Sequence, residues 1–261
     1  MRKALALAGM TAREILASPL PWAAAGVTAG LLLLSTLLPS FTLEEGGDLK
    51  FMLDVGLSGM AVALLVAGLW PATTLLVDEI TQKTALTLLA KPLSRPAYLA
   101  GRYLGILQAL GALWTCLTLW LLFCVWVSES QVLAAPLDAW FEEATYGVAV
   151  ESPALPSPPL RWNLAATAAL SLGQAAVLCA LAVAFSTRLQ PLANLACCGA
   201  VFVLGHLSEN LALPLRMLIP QLGFFDPSEA VSRGAGVPAE YAAACLLYAG
   251  LYAAAVLLAA L

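Results

Sequence analysis

Long apolar runs separated by shorter polar stretches set the pattern of the chain. The first, at 21–39, reads PWAAAGVTAGLLLLSTLLP and is followed by an acidic stretch carrying Glu44, Glu45, Asp48 and Asp54. Further apolar runs occupy 52–77, 98–127, 163–186, 190–207 and 240–261. Each is close to or beyond the roughly 20 residues with which a helix crosses a hydrocarbon core about 30 Å thick. The pattern therefore predicts six membrane-spanning helices in one transmembrane domain covering 1–261. Pro21 suits a first helical turn, where its missing N–H costs nothing. Trp70-Pro71 predicts a kink near the end of the second span. Thirty helical residues in the third span would measure about 45 Å, so this helix should protrude from the membrane at its N-terminal end.

The polar stretches differ in kind. Residues 2–18 mix Leu5, Met10, Ile15 and Leu16 with Arg2, Lys3 and Arg13, which predicts an interfacial helix within 1–20 lying at the membrane surface. Arg13 and Glu14 interrupt what would be the apolar region of a cleaved signal peptide, which excludes that reading. Residues 78–97, DEITQKTALTLLAKPLSRPA, form a polar connector whose helical periodicity ends at Pro92 and Pro96. Residues 128–161 form an acidic loop in which LDAWFEEA predicts a short helix with Trp140 and Phe141 at the lipid boundary. A short turn at Thr187-Arg188 joins the fourth and fifth spans. Residues 208–239 contain Pro214, Pro220, Pro227 and Pro238 and are too broken to span. They are expected to form short helices or a re-entrant segment, packed against protein as such backbone must be.

Composition agrees with the membrane reading and adds an orientation. The 261 residues are 61% hydrophobic and 11% charged, with a mean hydropathy of +0.89; soluble domains carry about 25% charged residues. With the N-terminus inside, the internal segments hold Arg2, Lys3, Arg13, Lys83, Lys91, Arg95, Arg102 and Arg188 of the 12 basic residues. Lys50, Arg161, Arg216 and Arg233 fall outside. Of the 16 acidic residues only Glu14, Asp78 and Glu79 fall inside. This positive-inside bias places both termini in the cytoplasm of a multi-pass protein, and an even span count agrees with it. A net charge of −4 without a dense basic patch argues against a nucleic-acid partner.

Candidate catalytic chemistry is sparse. Cys116, Cys124, Cys179, Cys197, Cys198 and Cys245 all lie in apolar runs, with no CxxC spacing, and read as small packing residues. His206 is the single histidine, so no multi-histidine metal site is expected, and a hydrogen-bonded packing role suits its place near the end of the fifth span. There is no G-x-S-x-G nucleophile motif and no G-x-x-x-x-G-K phosphate loop. No catalytic residue, cofactor or metal is expected in this chain. Gln108, Gln174 and Asn194 are the notable polar residues of the spans. They could line a translocation path or make hydrogen bonds between helices.

The connector carries the strongest functional signal. Ile80, Leu86, Leu88, Leu89 and Leu93 are interleaved with Asp78, Glu79, Lys83, Lys91 and Arg95. Such a helix can rest against another protein with its charges fixing the register, or lie on a lipid surface. The stretch DEITQKTALTLLAKPLSRPAYLAGRYLG resembles the signature of ABC-2 type permeases, in the branch similar to the nitrous-oxide-reductase maturation permease. Glu79, Thr84, Leu88, Leu89, Lys91, Pro92, Ser94, Arg95, Tyr98, Leu99 and Gly101 occupy matching places. Arg102 stands where that family usually has lysine, and Lys83 where it usually has glycine. AREILASPL near the N-terminus is similar to the family's elbow helix, and LPLRMLIPQLGFFDPSEAV to its external segment before the last span.

The resemblance implies an all-α, type V-like exporter permease with a cytoplasmic coupling helix in 78–97. It implies that Glu79, Lys83, Thr84, Leu88, Leu89, Lys91, Pro92 and Arg95 engage a separate ATPase, which holds ATP and magnesium. It further implies two ATPase copies and a second permease chain, either a homologue or another copy, in a bacterial inner membrane. The competing classes are a secondary transporter or channel, and a membrane scaffold subunit that transports nothing.

Overall fold

The computed structural model describes residues 2–37, 47–81, 95–134, 159–207, 219–227 and 237–260. Seven α-helices account for nearly all of them: α1 (Arg2–Ala17), α2 (Pro19–Leu37), α3 (Gly47–Thr81), α4 (Arg95–Ala134), α5 (Pro159–Ser186), α6 (Pro191–His206) and α7 (Ala239–Ala259). A single 3-10 turn, Leu222–Phe225, lies between α6 and α7. Among the described residues there is no strand. The expected short helix in LDAWFEEA lies outside them.

Five helices, α2, α3, α4, α5 and α7, are long and apolar enough to cross a membrane. The protein is a multi-pass membrane protein. The remaining apolar helix, α6, has 16 residues, about 24 Å at 1.5 Å per residue, which falls short of a hydrocarbon core of about 30 Å. The sequence pattern had extended this run to 190–207. The helix lies within one residue of that run at each end, with Gln190 and Leu207 as its caps. At the other extreme, α4 has 40 residues, about 60 Å, and α3 continues unbroken through Pro71. Just beyond that proline, Thr73 and Thr74 both donate their hydroxyls to the Trp70 carbonyl, at 2.9 and 2.8 Å.

The centre of the bundle is α5, whose apolar window is 72% buried, against 22% for α2 and for α7. Its sequence explains the difference. Ala168, Ala175, Ala180 and Ala182 are fully buried, and such small residues let neighbouring backbones come close, which is how helices gain packing contacts in a solvent as apolar as themselves. α3, α4, α6 and α7 all pack on α5. The close approach is mutual where Gly68 of α3 meets α5: a Cβ there would lie 2.5 Å from Cys179 Sγ. All six cysteines are free thiols.

Aromatic and hydroxyl side chains bond the helices together through backbone carbonyls. Trp114 Nε1 donates to the Ala168 carbonyl at 2.6 Å, and Tyr103 donates to that of Ala176 at 3.2 Å, both joining α4 to α5. Trp120 Nε1 reaches the Ala29 carbonyl at 3.3 Å and Thr28 that of Gly59 at 3.2 Å. The α1–α2 corner is tight. Ser18 N–H and hydroxyl both donate to the Ile15 carbonyl, and Trp22 Nε1 folds back onto the Leu16 carbonyl at 2.7 Å.

Candidate functional site

The connector motif falls at the boundary of the described residues. α3 runs past Glu79 to Thr81 and α4 begins at Arg95. Lys83, Thr84, Leu88, Leu89, Lys91 and Pro92 lie outside the described residues. The start of α4, directly after the connector, forms an interface with α1.

That interface begins with two glycines one helical turn apart, Gly101-Arg-Tyr-Leu-Gly105. Residues four apart share a helix face, so the two open a notch along α4, and α1 lies in it. A Cβ on Gly105 would come within 2.5 Å of Thr11 Cβ and 2.7 Å of the Ala8 carbonyl oxygen; one on Gly101 would lie 3.1 Å from the Ala4 carbonyl oxygen. The face of α1 turned inward comprises Leu7, Ala8, Thr11, Ala12 and Ile15, at the i, i+4 and i+3 spacing of an amphipathic helix, while Leu5 and Met10 stay exposed.

Arg102, between the glycines, carries the polar contact. Its side chain is 5% exposed. Nη1 donates to Thr11 Oγ1 at 2.9 Å and lies 3.5 Å from Glu14 Oε2. The guanidinium also lies 6.0 Å from the centroid of the Tyr98 ring. Thr11 passes its own proton to the Leu7 carbonyl at 3.0 Å, so its oxygen is free to accept from Arg102. A buried cation needs such partners. Sequence reading counted Arg102 and Glu14 among the internal charges without pairing them. Two signals were available: a lone arginine in an otherwise apolar stretch, and the G-x-x-x-G spacing around it.

The three polar residues of the spans do not form one cluster. Gln108 is exposed on α4. Gln174 of α5 is buried, and its Nε2 lies 3.2 Å from His206 Nε2. His206 Nδ1 lies 2.9 Å from the Phe202 carbonyl. That carbonyl can only accept, so Nδ1 carries the proton and Nε2 accepts from Gln174. Asn194 of α6 is fully buried, donates to the Ala182 carbonyl at 2.9 Å and accepts from Cys198 Sγ at 3.4 Å. Gln174 and Ala182 are eight residues apart on α5, about 12 Å along the helix. Both polar side chains thus bond α5 to α6 at separate levels.

No protein-family model matches the chain, and no curated protein matches it. Among the described residues, no three His, Cys, Asp or Glu side chains are grouped as metal ligands.

Proposed function

We propose that this chain is the membrane-spanning permease subunit of an ABC-type exporter, of the ABC-2 kind, working with a separate ATPase. The observation that carries this reading is a meeting of two distant segments. AREILASPL and the end of the DEITQKTALTLLAKPLSRPAYLAGRYLG stretch each resemble a part of such permeases. Arg102 of the second stretch joins them, 3.5 Å from Glu14 of the first and hydrogen-bonded to Thr11 immediately before it. A coupling element must pass displacement into the membrane domain. α4, which begins directly after the connector in sequence and is held to α1, supplies a route for it into the membrane domain. The chain itself has no phosphate loop, so ATP and magnesium belong to the partner.

The working unit on this reading is two permease chains and two ATPase chains in a bacterial inner membrane, with both permease termini cytoplasmic. Residues 79–95 dock in the ATPase, with Leu88 and Leu89 as the apolar anchor and Glu79, Lys83, Lys91 and Arg95 as the charged surround. Thr84 and Pro92 belong to the same ATPase-coupling set. The test is pull-down of the ATPase on a tagged permease. Truncating a central anchor costs about 2 kcal/mol or more, and a rim charge much less. Leu88→Ala/Leu89→Ala should therefore lose the ATPase, while Lys83→Ala keeps most of it and both variants insert normally. Unchanged ATPase binding and transport in the double-leucine variant would make the connector a membrane-surface element. Transport driven by an ion gradient, without a hydrolysing partner, would favour the secondary-carrier class instead.

A further inference from the structure

α2 packs against α4 and leaves a groove beside it. The groove has a volume of about 440 Å³, inside the range of about 300–1,000 Å³ for small-ligand sites. Trp22, Gly26 and Ala29 line it from α2, and Cys116, Trp120 and Phe123 from α4; no charged side chain does. The sequence makes the hollow, because Gly26 offers no side chain and a Cβ built there would meet nothing within 4 Å.

Two indoles set its extent. Trp120 Nε1 donates to the Ala29 carbonyl at 3.3 Å and ties α4 to α2. Seven residues earlier on α2, about 10 Å along the helix, Trp22 Nε1 donates to the Leu16 carbonyl at 2.7 Å. Both indole N–H groups are thereby used within the protein, so what the groove offers an occupant is apolar surface. Trp22, Leu119 and Phe123 stay exposed. Both helices are long and apolar enough to cross a membrane, so the open side of the groove faces hydrocarbon.

The Trp22 end meets the α1–α2 corner, and there the chemistry changes. Arg13 lies three residues before Leu16 and shares its helix face. Among the described residues Arg13 is exposed and in no ion pair. Its neighbour Glu14 lies 3.5 Å from Arg102, which offsets the carboxylate. A cation at the membrane surface with an apolar groove running inward from it complements an amphiphile with an anionic head and a hydrocarbon chain. A helix is about 10–12 Å across, so two turns of one would fill about 800–1,100 Å³, about twice the groove. A single acyl chain is narrower and follows it.

We infer that this groove holds the acyl chain of an anionic phospholipid whose phosphate sits on Arg13. The site goes beyond the proposed exporter function and stands without it. Only the leaflet that supplies the lipid, the cytoplasmic one, rests on the proposed topology.

The test is native mass measurement of the full chain in mild detergent, titrated with phosphatidylglycerol or with phosphatidylcholine of the same acyl chains. The first phosphatidylglycerol should bind about fivefold tighter or more, the size of one arginine's attraction to an anionic surface. Arg13→Gln should erase that preference, whereas Arg188→Gln, an exposed cation on the α5–α6 turn, should keep it. Gly26→Leu should weaken both lipids at least about tenfold, the loss of two buried methylenes. Gly250→Leu, on an equally open position of α7, should change neither. Inorganic phosphate should not displace the lipid, because it has no chain to fill the groove. Equal wild-type affinity for the two lipids, a preference that survives Arg13→Gln, or matching behaviour of Gly26→Leu and Gly250→Leu overturns the site. Displacement by phosphate also overturns it. So does a second protein chain that is retained in the wild type and lost in Gly26→Leu, which would make the groove a helix-docking surface.

Discussion

Arg102 illustrates how one charged side chain is accommodated in an apolar bundle. Its two partners are unequal. Thr11 is fully buried, and its bond to the guanidinium is 2.9 Å long; a hydrogen bond to a charged group contributes about 1.5–3 kcal/mol. The Glu14 side chain is 55% exposed and 3.5 Å away, where solvent screening reduces an ion pair to about 1 kcal/mol or less. Thr11→Val should therefore lower stability by about 1.5–3 kcal/mol and Glu14→Gln by less than about 1 kcal/mol. Thermal unfolding of the purified chain in detergent measures both. The reverse ranking would mean that the ion pair, not the buried hydroxyl, holds α1. Histidine and the amides follow the same logic: His206 meets the Phe202 carbonyl and Gln174 Nε2, and Asn194 Nδ2 meets the Ala182 carbonyl.

Between helices, the α1–α4 contact depends on what is missing from α4. Gly105 faces the Ala8 backbone and Thr11 at distances no Cβ tolerates, Gly101 has slightly more room, and Gly111 has no neighbour within 4 Å. Gly105→Ala should cost about 1–3 kcal/mol through overpacking. Gly101→Ala should cost less, and Gly111→Ala should be neutral or stabilising, since glycine inside a helix is about 0.5–1 kcal/mol worse than alanine. Melting temperatures of the three variants give the order; equal values would mean that α1 does not rest in the notch. Much at this level was legible in the sequence. The apolar runs gave the long helices, and the mixed spacing of Leu5 to Leu16 gave α1. What was not legible is partnership. Period and hydropathy say that a residue is apolar, not which helix it meets, so the Gly101/Gly105 notch and the seats of Leu222 and Phe225 at Gly205 and Gly173 emerged only in three dimensions. The run expected at about 190–207 is α6, Pro191–His206, one residue shorter at each end. Of the candidate site, Glu79 lies near the end of α3 and Arg95 begins α4, and residues 82–94 are known from their sequence pattern alone.

In the whole molecule, charge asymmetry and assembly are the open quantities. Eight of the 12 basic residues fall on one side in the six-span topology, which predicts reporter fusions after Glu45, Ala90, Thr145, Arg188 and Phe225 to read out, in, out, in, out. A cytoplasmic signal at Thr145 or Phe225 would contradict that topology; at Phe225 it would also mean that α6 does not cross. The proposed function implies the assembly: a 27.2 kDa chain whose sequence carries no G-x-x-x-x-G-K motif would take its ATP-driven work from a partner chain. The most direct measurement is the native mass and composition of the complex extracted on the tagged permease, combined with its ATP hydrolysis. The expected result is two permease chains with two ATPase chains, and hydrolysis that disappears when Leu88 and Leu89 are truncated. A homogeneous single permease chain that moves its substrate with no nucleotide-hydrolysing partner would contradict the proposed function outright.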